Sequence, residues 1–111
     1  MTSMPAPDYY CEIDLSEKEF LGLAGFDCEV DIFCATQNKP VKGYLVIPGG
    51  GRFIEDGKTE AWLWIDSPSA KINRDTIVSV SIVGKCAFGQ DYKGSLAKQI
   101  MGKKYALQFV E

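Results

Sequence analysis

The sequence predicts an α+β fold that is mostly β: a strongly curved antiparallel sheet or small open barrel with two short helices, at about residues 16–24 and 95–101. Two observations carry this expectation. Apolar residues recur with a period of two along most of the chain, the mark of half-buried strands, and the runs are punctuated by turn-forming clusters. The alternation of strands with helices that builds parallel doubly wound sheets is missing.

The 111 residues suit one domain, expected over residues 8–111 after a loose start at residues 1–7, where Pro5 and Pro7 flank Ala6 before any pattern begins. With 46% hydrophobic and 12% aromatic residues the chain can bury a core without a metal or disulfide. The first strand is read at Tyr9, Cys11, Ile13 and Leu15, alternating with Tyr10, Glu12 and Asp14. Ser16 and Glu19 have the spacing of a capping box, so a helix should start there. Phe20, Leu23 and Ala24 give it one packing face, and Gly25 stops it. Cys28, Val30, Ile32 and Cys34 form the inward stripe of the next strand. The turn Gln37-Asn38-Lys39-Pro40 folds that strand onto Val41 to Ile47 as a hairpin.

Pro48 and the triplet Gly49-Gly50-Gly51 break the strand. A second hairpin is expected from Arg52 to Glu55 through Asp56-Gly57 into Lys58 to Ile65, because Asp-Gly between alternating runs favours a tight turn. Ser67-Pro68-Ser69 is a further break, with a helical turn expected toward Ile72. Thr76 to Val83 is β-branched almost throughout and should be a central strand. Residues 85–93 fit no element. Ser95 can cap the second helix, Gly102 ends it, and Tyr105, Leu107 and Phe109 alternate in a last strand.

Functions are bounded by what the chain contains. There is no histidine, which removes the commonest general base and the usual Ser-His or Cys-His pairs. Cys11, Cys28, Cys34 and Cys86 include no close Cys-x-x-Cys pair, so zinc is not expected and the thiols read as free and buried. The segment from Gly51 to Thr59 imitates a phosphate loop, but five residues separate Gly51 from Gly57 and a strand pattern follows Thr59. No apolar run is long enough to span a bilayer, and the start lacks a signal-peptide pattern. The expectation is a cytoplasmic protein with no cofactor, no metal and no membrane contact.

Net charge is −3 but unevenly spread. Residues 1–38 carry eight acids against Lys18, whereas residues 39–111 carry eleven bases against seven acids. The expected outcome is that the two halves neutralise each other; the alternative is a surface with an acidic and a basic face. Glu12 with Asp14, and Glu29 with Asp31, stand two apart. If their strands were neighbours, four acids would share a face and could support carboxylate-based catalysis; a solvated outer face is the simpler reading.

The segment Glu60 to Asp66 stands out. Ala61, Leu63 and Ile65 form an ordinary core stripe, while the opposite face carries Glu60, Trp62, Trp64 and Asp66. Two indoles opposite the core must be covered by a helix, a second subunit, a protein partner or a ligand. Carboxylates at both ends of the aromatic pair suit a cationic or aromatic small molecule as well. Tyr44 can extend the patch. The expected function is therefore a non-enzymatic binding or interaction domain, with a homodimer among the arrangements it allows. Polyanion or nucleic-acid binding through Lys85, Lys93, Lys98, Lys103 and Lys104, interleaved with Phe88, Tyr92 and Tyr105, is the weaker alternative, because the overall pI is about 4.9.

Overall fold

The computed structural model describes residues 6–23, 25, 27–48, 57–66, 72–84 and 99–109. Six strands appear in them: β1 (Tyr9–Asp14), β2 (Asp27–Cys34), β3 (Val41–Val46), β4 (Lys58–Ile65), β5 (Ile77–Ile82) and β6 (Lys104–Phe109). One helix, α1 (Glu17–Leu23), lies between β1 and β2, and a single 3-10 turn spans Arg74–Thr76. All neighbouring strands are antiparallel, and their order around the sheet is β1-β4-β3-β2-β5-β6, closing from β6 back to β1. The curved sheet therefore shuts completely. β2, β3 and β4 follow one another as a meander, and β5 returns to lie beside β2, which is Greek-key connectivity. Closure leaves no strand edge within the ring for another chain to extend.

The period-two pattern fixes which side chains fill the barrel. Ile13, Val30, Ile32, Leu45, Leu63, Val80 and Ile82 are essentially inaccessible to water, with Cys11, Cys28, Ala61 and Tyr105 completing the interior. A one-residue slip would turn this entire set outward, so the burial itself locks the register. Gly43 marks a close approach: a Cβ there would fall on the carbonyl oxygen of Trp64 and on the side chain of Ile32.

β1 and β2 are diametrically opposite in the ring, so the chain between them must cross one mouth of the barrel. Here α1 acts as the plug, with Phe20 and Leu23 buried. The capping box forms as its spacing predicts: the Glu19 amide donates to Ser16 Oγ at 3.2 Å, and the Ser16 amide donates to Glu19 Oε1 at 2.9 Å. Gly25, at φ +88°, follows the helix, and its amide donates to the Ile47 carbonyl at 2.7 Å. At the opposite mouth the Tyr9 hydroxyl donates to the Ile72 carbonyl at 2.7 Å, and Tyr9 meets Phe109 edge-on at 5.6 Å.

Several expected features fall outside the described residues. Most of the helix expected at 95–101 does so, although Gln99 and Ile100 are helical and Gly102 has φ +78°. The first arm of the Asp56-Gly57 hairpin, at residues 52–56, is also outside; Gly57 itself has φ +90°, as a tight turn of this kind demands. The helical turn expected before Ile72 falls on residues 67–71, likewise outside, whereas the 3-10 turn comes just after, capped by the Asn73 side chain.

Cys11, Cys28 and Cys34 are free and buried on the inner stripe, as their parity predicts. Burial, reinforced by the neighbouring Glu12 charge, pushes the Cys11 thiol up to about 12. In a Cys86→Ser variant, an aromatic disulfide reagent should therefore find no reactive thiol in the native protein and three after denaturation. Rapid native reaction of any of the three would show that the barrel wall opens.

Candidate functional site

The outer surface of β1, β4 and β3 carries a row of aromatic side chains. Antiparallel register places Tyr10 opposite Trp62 and Trp62 opposite Val46, while Trp64 stands opposite Tyr44. The Trp62 and Trp64 rings meet edge-on at 6.4 Å, and Tyr10 meets Trp62 edge-on at the same centroid distance. These are the preferred aromatic geometries, so the row is a packed, ordered surface and not a set of loose side chains. Tyr10 is 56% exposed and Tyr44 37%, with both indoles half-buried. Of the residues singled out in the sequence, Glu60, Trp62, Trp64 and Tyr44 share this wall. Asp66 lies at its lower margin just past β4, where its amide donates to the Lys42 carbonyl at 3.0 Å.

Val46 shares the parity of Tyr44 on β3, whereas Tyr10 belongs to the patch but could not be assigned to it from the sequence. Tyr10 has the outward parity of Glu12 and Asp14; what makes it part of the site is the pairing of β1 with β4, a contact between residues some fifty positions apart.

Carboxylates surround the aromatic row. Glu12 and Glu60 face each other across β1 and β4 on one side, and the Trp62 indole N–H donates to Glu60 Oε1 at 3.4 Å. Glu29 stands opposite Tyr44 and Asp27 opposite Val46 on the other side. Asp8 and Asp66 close the lower end, with Asp8 Oδ2 accepting from the Ile65 amide at 2.6 Å. Two lysines enter this wall. Lys42 is bound to Asp31 at 2.5 Å, and Lys58 stands opposite Asp14.

Among the described residues, Lys42 with Asp31 and Lys103 with Glu19 pair the basic second half of the sequence with the acidic first half. Of the other first-half acids on strands, Glu12 and Asp14 lie on β1 and Asp27 and Glu29 on β2, on opposite sides of the ring.

A depression of about 140 Å³ opens at the edge of the row, lined by Glu29, Val30, Lys42, Gly43, Tyr44, Asp66 and Val83. Its Glu29 wall is set by the backbone beyond β5. The Glu29 carbonyl accepts from the amides of Val83 at 2.9 Å and Gly84 at 3.2 Å, and a Cβ on Gly84 would fall on the Glu29 side chain.

The four-acid face considered for catalysis does not assemble. β1 and β2 lie on opposite sides of the ring, which separates Glu12 and Asp14 from Glu29 and Asp31. Among the described residues there is no group of three or more acids and cysteines placed to hold a metal ion. Of the basic segment, Lys85, Lys93 and Lys98 lie outside the described residues. Lys103 donates to Glu19 Oε2 at 3.1 Å, and Lys104 sits 4.3 Å over the Phe33 ring. No described helix is long and apolar enough to cross a membrane.

Comparison of the chain with protein-family models, with curated proteins and with solved structures finds no match.

Proposed function

We propose that this barrel is a non-enzymatic binding module whose aromatic wall docks a protein partner carrying basic residues. The observation that carries the reading is the continuous outward row of Tyr10, Trp62, Trp64 and Tyr44 across three adjacent strands, ringed by carboxylates. Ordered aromatic side chains are the usual anchors of interfaces, because they supply large contact area and lose little conformational freedom.

The charge ring selects among occupants. A second copy docking wall to wall would bring two acidic rings together, at a repulsive cost. A polyanion meets the same repulsion. A small molecule needs a concave site of about 300 Å³ or more, while this row lies on the outside of a barrel. A basic protein segment meets both the indoles and the carboxylates favourably.

Collisional quenching of the tryptophans tests the surface directly. Cesium should quench more effectively than iodide, each scaled to free N-acetyl-tryptophanamide, because the carboxylate ring concentrates cations at the indoles. Glu12→Gln with Glu60→Gln should narrow the difference. A short peptide of alternating lysine and leucine should then blue-shift the emission, and a Trp62→Thr/Trp64→Thr protein should lose affinity for it by at least tenfold. If the emission instead shifts with protein concentration alone and ignores the peptide, the occupant is a second copy and the reading fails.

A further inference from the structure

The depression beside Tyr44 has a chemistry of its own. Its volume of about 140 Å³ corresponds to a few water volumes at about 30 Å³ each, room for one side-chain head group and not for a drug-sized molecule. Tyr44 supplies a ring, and Glu29 and Asp66 supply carboxylates from β2 and from the end of β4. Among the described residues neither carboxylate takes part in an ion pair, whereas the one cation in the lining, Lys42, is already bound to Asp31. Glu29 is also held in place, since its carbonyl is fixed by two amides and its side chain lies over Gly84, where any other residue would displace it. The depression adjoins the aromatic row through Tyr44, which stands opposite Trp64.

We propose that this depression is a socket for one arginine side chain of the partner that docks on the aromatic wall, an inference that rests on the reading above. A guanidinium is planar, permanently charged and carries five donors, so it can stack on Tyr44 and still donate to both carboxylates. An ammonium offers a point charge without the stacking plane. The partner's contact segment then has an arginine next to apolar or aromatic residues that cover Trp62 and Trp64.

The test uses the intact protein labelled with nitrogen-15, N-acetyl-arginine amide as probe and its uncharged isostere N-acetyl-citrulline amide as control. Arginine should shift the amides of Gly43, Tyr44, Asp66 and Gly84, with citrulline at least tenfold weaker. Glu29→Gln and Asp66→Asn should each weaken the arginine response several-fold, and Glu17→Gln, an equal loss of charge on α1 away from the depression, should leave it unchanged. N-acetyl-phenylalanine amide, titrated in parallel, should move the indole N–H signals of Trp62 and Trp64. Equal responses to arginine and citrulline, or an arginine response indifferent to Asp66→Asn, overturn the socket. Indole shifts with phenylalanine but silence toward arginine remove the socket and leave the aromatic wall standing; silence toward both probes removes both.

Discussion

Leu63→Asp is expected to abolish cooperative folding, whereas Trp62→Thr, one residue earlier on the same strand, leaves a folded barrel with nearly unchanged stability. Leu63 is fully buried in the barrel interior, opposite Leu45 and Tyr9. Exchanging it for aspartate forfeits about 2–3 kcal/mol of transfer free energy. It also demands several more for an unpaired carboxylate in an apolar interior, or for holding that carboxyl protonated. The total rivals the whole stability of an ordinary domain, about 5–15 kcal/mol. Trp62 points outward and is half in water; its substitution loses edge-on contacts to Tyr10 and Trp64, about 1 kcal/mol together, and threonine keeps the β preference. Far-ultraviolet circular dichroism and urea unfolding would show no transition for the first variant and a native-like slope for the second. A larger loss at Trp62 than at Leu63 would mean that the indoles are the core and the aliphatic stripe the surface, and the proposed docking wall would vanish with that exchange.

That contrast also marks how far local pattern reaches in this chain. The strands at Tyr9–Asp14, Asp27–Cys34, Val41–Val46, Lys58–Ile65, Ile77–Ile82 and Lys104–Phe109 follow from alternation, and α1 follows from the Ser16–Glu19 spacing, because these are interactions between residues a few positions apart. The two faces of β4 were legible for the same reason. Closure and strand order were not: β1 pairs with β4 from mid-chain and with β6 from the far end, and nothing in a strand's own residues names its neighbour. Alternation thus predicts a strongly curved antiparallel sheet and leaves its closure open; the ring is closed. So too the candidate site was half visible. Trp62, Trp64, Tyr44 and the flanking Glu60 and Asp66 lie on β3 and β4 or just beyond, whereas Tyr10, Glu12 and Glu29 joined them only through long-range register. The same register keeps the acids of β1 and β2 apart, and sets Glu12 opposite Glu60 on β4 and Glu29 opposite Tyr44 on β3.

Gly43 is a further case of a signal that is readable only afterwards. A glycine inside a β-strand commonly marks close backbone approach, and here it allows the Trp64 carbonyl to come close while Tyr44 and Lys42 turn outward beside it. The outward aromatic row and the tight packing beneath it are therefore two consequences of one strand pair. A side chain at position 43 would push β4 away from β3 and separate Tyr44 from Trp64.

Acid stability should depend strongly on Glu19. Glu19 is nearly buried at the barrel mouth, where the Tyr105 hydroxyl donates to Oε2 at 2.5 Å and Lys103 donates to the same oxygen at 3.1 Å. Burial alone would raise its pKa; the hydrogen bonds from Tyr105, Ser16 and Lys103 outweigh that and hold it down to about 2, from an ordinary 4.5. A carboxyl with a depressed folded-state pKa stabilises the fold above its unfolded value, so this contribution is complete above pH 4.5 and is lost as pH falls toward 2. Full conversion of the shift would amount to about 3 kcal/mol, and because the Lys103 side chain is half in solvent about 2 kcal/mol is the better expectation. Glu19→Gln should flatten the dependence of unfolding free energy on pH between 4.5 and 2 and lower stability at pH 7 by that amount. Tyr105→Phe removes the shortest of these bonds, so Glu19 should titrate at higher pH and acid unfolding should begin earlier. The Tyr105 hydroxyl is itself pushed up by burial and by the carboxylate it donates to, so it stays protonated and able to donate throughout this range. If Glu19→Gln leaves the acid limb unchanged, the contact between α1 and β6 does not hold the plug in the barrel mouth, and the apolar contacts of Phe20 and Leu23 must do so alone.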